Sequence, residues 1–393
     1  MKSHIITGNN IDVLKTYPDN HFDSVVTDPP YGIDFLGKTW DANTGALETY
    51  QQCLRVLKPG GYLLAFSAAR TYHHLAVTVE QAGFEIRDQI MWIYSSGFPK
   101  SQDVGKNIQR AIGVEQYEEV AVDTTQNSGF GMTDHARVRA GEEWSTKATT
   151  VKKVVVTDPV AKQWEGWGTA LKPAHEPIVM ARKPTKLSFA ENVQQWGMGA
   201  VNIDAGRVPV EGTDTRGGGA NGWDRVEFGQ AEPNKTDGEG YTPNSAGRFP
   251  SNVIGEIEEP YQKYFYCPKV GRAERHVGFD TTNIPTDPSG YQGTSNGGNY
   301  LEKKQNQSGE KGNNHPTVKP IELMKYLIRL VTPAGGHVLD PFNGSGSTGC
   351  AAVELDYEYT GIELDPKYAA IAEKRIQAWY EQTHATTFGR LFE

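Results

Sequence analysis

The sequence predicts an α/β fold, a parallel and doubly wound sheet carrying a long inserted region. Three observations predict it. Short apolar runs ending at turn signals alternate with helical periodicities over residues 1–98. The same alternation returns over residues 315–393. Between them, residues 99–314 are interrupted by glycine- and asparagine-rich stretches that bury little apolar surface.

Residues 22–27 (FDSVVT) are a buried strand that ends at Pro29-Pro30. Residues 58–61 (KPGG) signal a turn, and the strand 62–66 (YLLAF) follows. Gly83 stops a helix before a strand at 89–94. Residues 176–181 (EPIVMA) read as one more core strand inside the insertion, whereas 211–247 and 287–314 read as loops. Pro320 suits the first turn of a helix with Ile321, Met324, Ile328 and Val331 on its apolar face. A strand at 336–340, a glycine turn, a helix from about Thr348 and a strand at 359–363 complete the pattern. Asp365 caps a last helix whose apolar face holds Tyr368, Ile371, Ala372, Ile376 and Trp379.

Composition narrows the function classes. Of 393 residues, 37% are hydrophobic and 22% charged, an ordinary globular balance. No run of eighteen apolar residues exists to span a bilayer, and the first residues lack a secretory signal, so a cytoplasmic protein is expected. Cys53, Cys267 and Cys350 are too scattered for a disulfide framework or a zinc cluster, and no metal is expected. The net charge of −9 is uneven: residues 135–190 carry ten Lys/Arg against five Asp/Glu. Residues 263–275 add four basic residues against Glu274. Basic patches on an acidic body suit a groove for phosphates, although charge alone fits a solvated face equally well.

Two clusters carry chemistry. Asp28-Pro29-Pro30-Tyr31 follows a buried strand, where open α/β sheets bind ligands. The prolines hold the backbone rigid, Asp28 offers a carboxylate and Tyr31 a ring; an ordinary strand-ending turn is the competing reading. The second cluster runs from Asp340 through Phe342, Gly344 and Gly346 to Gly349, again strand, turn and helix. Its glycines allow close approach of a ligand to backbone amides, and Glu363 ends the next strand, where an acid can bind a ribose. The set suits an adenosyl cofactor, and a dinucleotide fits the same spacing.

Together these segments resemble the amino-methyltransferases of DNA in their permuted "beta" arrangement, with the catalytic motif first and the cofactor motif last. The resemblance rests on Asp28 to Tyr31, residues 57–61, residues 315–320, Asp340 to Gly349, and Glu363. Residues 95–100, 167–176 and 264–269 bring it closest to site-specific enzymes of phages and prophages. It implies a circularly permuted, Rossmann-like methyltransferase sheet that uses S-adenosylmethionine on double-stranded DNA, as monomer or homodimer. It also implies a division of the chain. Residues 1–98 form the catalytic half, 99–160 an insertion, 161–195 a core strand and adjoining helix, 196–314 the target-recognition region, and 315–393 the cofactor half.

By resemblance, Asp28, Pro29, Pro30 and Tyr31 are catalytic. Asn9, Asp28, Thr317, Lys319, Asp340, Phe342, Gly344, Gly346 and Glu363 surround the cofactor. Asn9 departs from the family's usual aspartate. The charges assigned to DNA are Arg137, Arg139, Lys152, Lys153, Lys269, Arg272 and Arg275. His315 reads as a structural helix-start residue, and His175, Trp164, Trp167 and Trp196 read as packed. Adenine N6 is the expected target because position 28 is aspartate, where permuted cytosine-N4 enzymes usually carry serine. Cytosine N4, a nicotinamide oxidoreductase and a catalytically silent DNA-binding protein are the alternatives.

Overall fold

A computed structural model describes residues 1–33, 44–94, 101–113, 117–122, 149–208, 247, 249–255, 270–280, 312–315 and 317–389. The strands are β1 (Ser3–Thr7), β2 (Phe22–Thr27), β3 (Leu57–Phe66), β4 (Glu85–Ile93), β5 (Tyr117–Val122), β6 (Thr149–Val154), β7 (His175–Arg182), β8 (Val253–Gly255), β9 (His337–Asp340) and β10 (Glu358–Glu363). The helices are α1 (Asn10–Lys15), α2 (Leu47–Val56), α3 (Tyr72–Gln81), α4 (Val104–Ala111), α5 (Pro159–Lys162), α6 (Phe189–Trp196), α7 (Arg272–Arg275), α8 (Ile321–Val331), α9 (Ser347–Glu354) and α10 (Pro366–Gly389).

The chain divides into two compact units, residues 97–173 and the remainder. The larger unit is built on an eight-stranded sheet ordered β1-β10-β9-β2-β3-β7-β4-β8. From β1 to β3 neighbours run parallel, but β7 lies antiparallel to both β3 and β4. The sheet is therefore mixed, not parallel throughout. Apolar periodicity encodes which face a residue takes and carries no strand direction, so β7 could not be oriented from its sequence.

Alternation along the strands sorts the core into two layers. Val26, Leu64, Phe66 and Ile178 pack on one face with Leu327, Ala351 and Ile376 of α8, α9 and α10. Val25, Leu63, Ala65 and Val179 pack on the other with Leu14, Tyr50, Cys53 and Leu75 of α1, α2 and α3. β2 is buried along its whole length, as a strand covered on both faces must be. Its polar members are all partnered. Asp23 accepts from Lys58 Nζ (2.6 Å) and the His337 amide (2.8 Å), and Ser24 Oγ pairs with Thr332 Oγ1 (2.7 Å). The Lys58-Pro-Gly-Gly61 segment belongs to β3 rather than to a separate turn. Gly60 takes φ of 78°, and the Gly60–Gly61 backbone exchanges hydrogen bonds with Lys183.

In the smaller unit β5 and β6 form an antiparallel pair. Its buried Gln109 bonds the Val155 carbonyl and accepts from the Thr157 amide. Trp164 and Trp167, read as packed from sequence, are 42% and 61% exposed and meet edge-to-face at 5.4 Å. Trp196 is half-buried. No helix among the described residues is long and apolar enough to cross a membrane.

Candidate functional site

Parallel strands bring their carboxyl ends to one edge, and here that edge collects residues from both ends of the chain. β2 leads on to β3 on one side, while β9 leads to β10 on the other, so the winding reverses between β2 and β9. A crevice at such a reversal is where open α/β sheets hold ligands. Asp28 follows β2 and Asp340 ends β9, more than 300 residues apart in sequence. Thr27 Oγ1 donates to Asp340 Oδ1 at 2.6 Å, which fixes the two clusters side by side.

Around Asp28 the polar side chains of Tyr31, Glu176 and Lys319 converge. Lys319 Nζ lies 2.5 Å from Asp28 Oδ2, 3.0 Å from the Tyr31 hydroxyl and 3.5 Å from Glu176 Oε2. The Tyr31 hydroxyl reaches Asp28 Oδ1 (2.9 Å) and Glu176 Oε2 (3.0 Å), and with one proton it donates to one of them at a time. Phe66 supplies an apolar wall, its ring centre 4.9 Å from the ammonium. The lysine side chain is 7% exposed and the two carboxylates 16% and 18%.

Burial dominates the electrostatics of this cluster. It lifts the Asp28 pKa above the carboxylate norm against the pull of Lys319, and the charge of Glu176 adds to the rise. Burial also works to discharge Lys319, but Asp28 and Glu176 together outweigh it and keep the ammonium protonated. Tyr31 is raised well above an ordinary phenol by burial and by both acids.

The glycine turn is built differently, mostly from backbone. Asp340 is 2% exposed and fully engaged beneath it, accepting from Thr27 and the Phe342 amide through Oδ1 and from Thr348 Oγ1 through Oδ2. Burial lifts its pKa to about 6 against these three donors. The Glu363 carboxylate accepts from the Gly344 amide (2.7 Å) and the Asp365 amide (2.9 Å), so it clamps the turn to the end of β10. Gly344 and Gly346 have φ of 52° and 78°, and a Cβ on Gly344 would sit 3.0 Å from His315 Nε2. The Ser347 hydroxyl, at the start of α9, is buried and has no partner among the described residues.

The remaining predicted residues sort unevenly. Asn9 is the N-cap of α1, its Oδ1 accepting from the Ile11 amide. Thr317 is half-buried beside His315, whose imidazole is held by burial at a pKa of about 3 and packs on Tyr368. His315 does not start a helix, because α8 begins at Ile321 after Pro320. Lys319, grouped by sequence with the cofactor residues, has its ammonium at Asp28. Arg272 is exposed, whereas Arg275 is half-buried and donates to the His315 carbonyl. Lys152 and Lys153 belong to β6, of which the backbone alone is described. Arg137, Arg139 and Lys269 lie outside the described residues.

Sequence reasoning missed Glu176 and Arg375. An acid opening the apolar run of β7 was the available signal for Glu176. Arg375, fully buried on α10, donates to the Ser345 and Glu274 carbonyls and ties the last helix to the glycine turn. It shares its helix face with the buried Ala372 and Ile376, and that helical spacing was the available signal.

The profile of the N6/N4 family, described as DNA methylase, matches residues 22–374. The chain belongs to that family. Several Type II methyltransferases align over a short stretch. The Type II methyltransferase M2.DpnII of Streptococcus pneumoniae is 44% identical over 64 residues, 16% of this chain and 24% of that one. Type II methyltransferase M.SmaI of Serratia marcescens is 45% identical over 62 residues, 16% of this chain and 21% of that one. The chain thus spans about a quarter of the length of the curated relatives it matches. Among solved structures, the M1.HpyAVI–SAM complex superposes with a TM-score of 0.40 at 17% identity, over 95% of this chain and 98% of that one. The cytosine-N4-specific PvuII DNA methyltransferase gives 0.46 at 13% identity, over 98% and 93%. Likeness at that level carries no functional weight.

Proposed function

We propose that the protein is a site-specific DNA methyltransferase that moves a methyl group from S-adenosylmethionine to the exocyclic N6 of adenine. One observation carries the reading: the 2.6 Å bond from Thr27 to Asp340 that joins the Asp-Pro-Pro-Tyr segment to the glycine turn at a single switch point.

The residues of the turn fit the cofactor. Gly344 and Gly346 place no side chain over the turn, Ser347 holds a buried hydroxyl with no partner among the described residues, and Glu363 ends β10 with a carboxylate suited to ribose hydroxyls. Phe342, Gly344, Gly346 and Glu363 would hold it, with Asn9 and Thr317 at the margins and Asp340 bracing the turn from below. Bound there, S-adenosylmethionine supplies a methyl group made electrophilic by its sulfonium.

The chain's own residues prepare the acceptor. An exocyclic amino nitrogen is a poor nucleophile while its lone pair is delocalised into the ring. Asp28 accepts one amino hydrogen and the Pro29 carbonyl the other, which turns the lone pair out of conjugation. Pro30 stiffens the segment, and the Tyr31 ring stacks on the base. Positioning then supplies most of the rate enhancement. The base must leave the duplex, at a cost of a few kcal/mol. Arg137, Arg139, Lys152, Lys153, Lys269 and Arg272 would meet the DNA, with residues 196–314 as the target-recognition region of a permuted chain. Arg275 braces His315 instead.

Adenine is favoured over cytosine N4 because Asp28 is a carboxylate, the stronger acceptor for an amino hydrogen. Methylation-aware sequencing of DNA from cells producing the protein tests the reading. One recurrent motif bearing N6-methyladenine is expected. N4-methylcytosine would move the target to cytosine, and the absence of any methylated motif would overturn the reading.

A further inference from the structure

The buried cluster holds one acid more than base positioning requires. Asp28 and Glu176 carry two negative charges against the single ammonium of Lys319, which lies 2.5 Å from one and 3.5 Å from the other. Methyl transfer forms a nitrogen–carbon bond, and the electron pair of the broken sulfur–carbon bond leaves with the cofactor's sulfur. The base nitrogen, then carrying four bonds and a positive charge, must lose a proton, and Asp28 is the base in contact with it. Protonated Asp28 no longer neutralises Lys319, and an ammonium this buried is costly without a counter-charge.

We propose that Glu176 is a positioning residue that takes over the Lys319 ammonium, and with it the Tyr31 hydroxyl, when Asp28 receives the proton released from the methylated amino group. The inference rests on the methyltransferase reading above. Both donors already stand within reach of Glu176: Lys319 Nζ at 3.5 Å and Tyr31 O–H at 3.0 Å from the same Oε2. The exchange needs only a small shift, and it keeps one negative and one positive charge paired before and after proton transfer. The groups facing Asp28 are Tyr31 from its own loop, Glu176 from β7, Lys319 ahead of α8, and Asp340 from β9. Tyr94, after β4, also hydrogen-bonds Glu176.

The test is a cycle of Glu176→Gln, Lys319→Met and the double variant, followed by single-turnover methylation of DNA in the full chain. Glu176→Gln should slow the chemical step about 10- to 100-fold, below a full acid–base contribution because Asp28 itself stays in place. Its affinity for S-adenosylmethionine, by calorimetry, and for DNA should stay within about twofold of wild type. Removing the stranded ammonium should restore rate, so the double variant should outpace Glu176→Gln alone. The acidic limb of the pH–rate profile should move to lower pH in Glu176→Gln, because Lys319 then serves Asp28 alone. If Glu176→Gln does not fold, Glu176→Asp carries the same test, with a smaller loss and a shift in the same direction. Losses that simply multiply in the double variant, or an unmoved acidic limb, would overturn the proposal. A wild-type protein without methyl transfer would instead refute the reading on which it rests.

Discussion

The two halves of the site work by different physics. On the Asp28 side, side chains from β7 and from the segment before α8 meet those of the Asp-Pro-Pro-Tyr loop. Their charges depend on one another: Lys319 stays protonated because of Asp28 and Glu176. On the Asp340 side, adjacent strands β9 and β10 shape a loop, and acids hold backbone amides at Gly344, Phe342 and Asp365. The first half is therefore sensitive to charge, whereas the second is sensitive to shape.

The largest expected effect breaks the first half alone. Asp28→Ala should lower the methylation rate by at least about 10³-fold, since it removes both acceptor and base. Cofactor affinity by calorimetry should change little; a matching loss of both would erase the distinction between the halves. Next is Glu363→Ala, which should weaken S-adenosylmethionine binding about 10- to 100-fold, the value of hydrogen bonds to a charged group. Because Glu363 also clamps Gly344, its melting temperature should fall as well, and Glu363→Gln, which keeps one carbonyl acceptor, should lose less on both counts.

The pH dependence of folding sharpens the second half. His315 is neutral in the native protein down to a pKa of about 3, against an ordinary value of 6.5. The unfolded chain takes up that proton as pH falls through 6.5, and the native chain does not. Its contribution is complete above pH 6.5 and is lost on acidification toward pH 3, at about 1.4 kcal/mol per pH unit. The drop in melting temperature from pH 7 to pH 5 should be smaller in His315→Gln than in wild type. The smallest effect concerns DNA: neutralising Arg137, Arg139 and Lys269 should flatten the slope of log affinity against log salt by about 0.9 for each phosphate left without its cation. Arg275→Ala should instead lower thermal stability, because its guanidinium holds the His315 carbonyl.

The sequence announced what is contiguous. Asp28 to Tyr31 and Asp340 to Gly349 are local motifs, and the strands that deliver them are continuous apolar runs. The partners assembled at long range were less legible. Glu176 is a single acid in a strand, and its meaning depends on β7 running antiparallel beside β3. β7 and β4 pair directly while residues 97–173 form the unit inserted between them, a connection whose direction no periodicity records. Lys319 and Asp28 were both read as lining the cofactor site, but they lie 291 residues apart and their direct 2.5 Å contact depends on the fold. Trp164 and Trp167 read as packed because a core strand lies close by in sequence, but both fall in the small unit and stay exposed.

The most direct measurement is nucleoside analysis by mass spectrometry of DNA incubated with the purified protein and isotopically labelled S-adenosylmethionine. Wild type should yield labelled N6-methyladenine, and Asp28→Ala should yield none while still binding the cofactor. Labelled 5-methylcytosine, or undiminished N6-methyladenine from the Asp28→Ala variant, would contradict methyl transfer to an amino nitrogen held by Asp28.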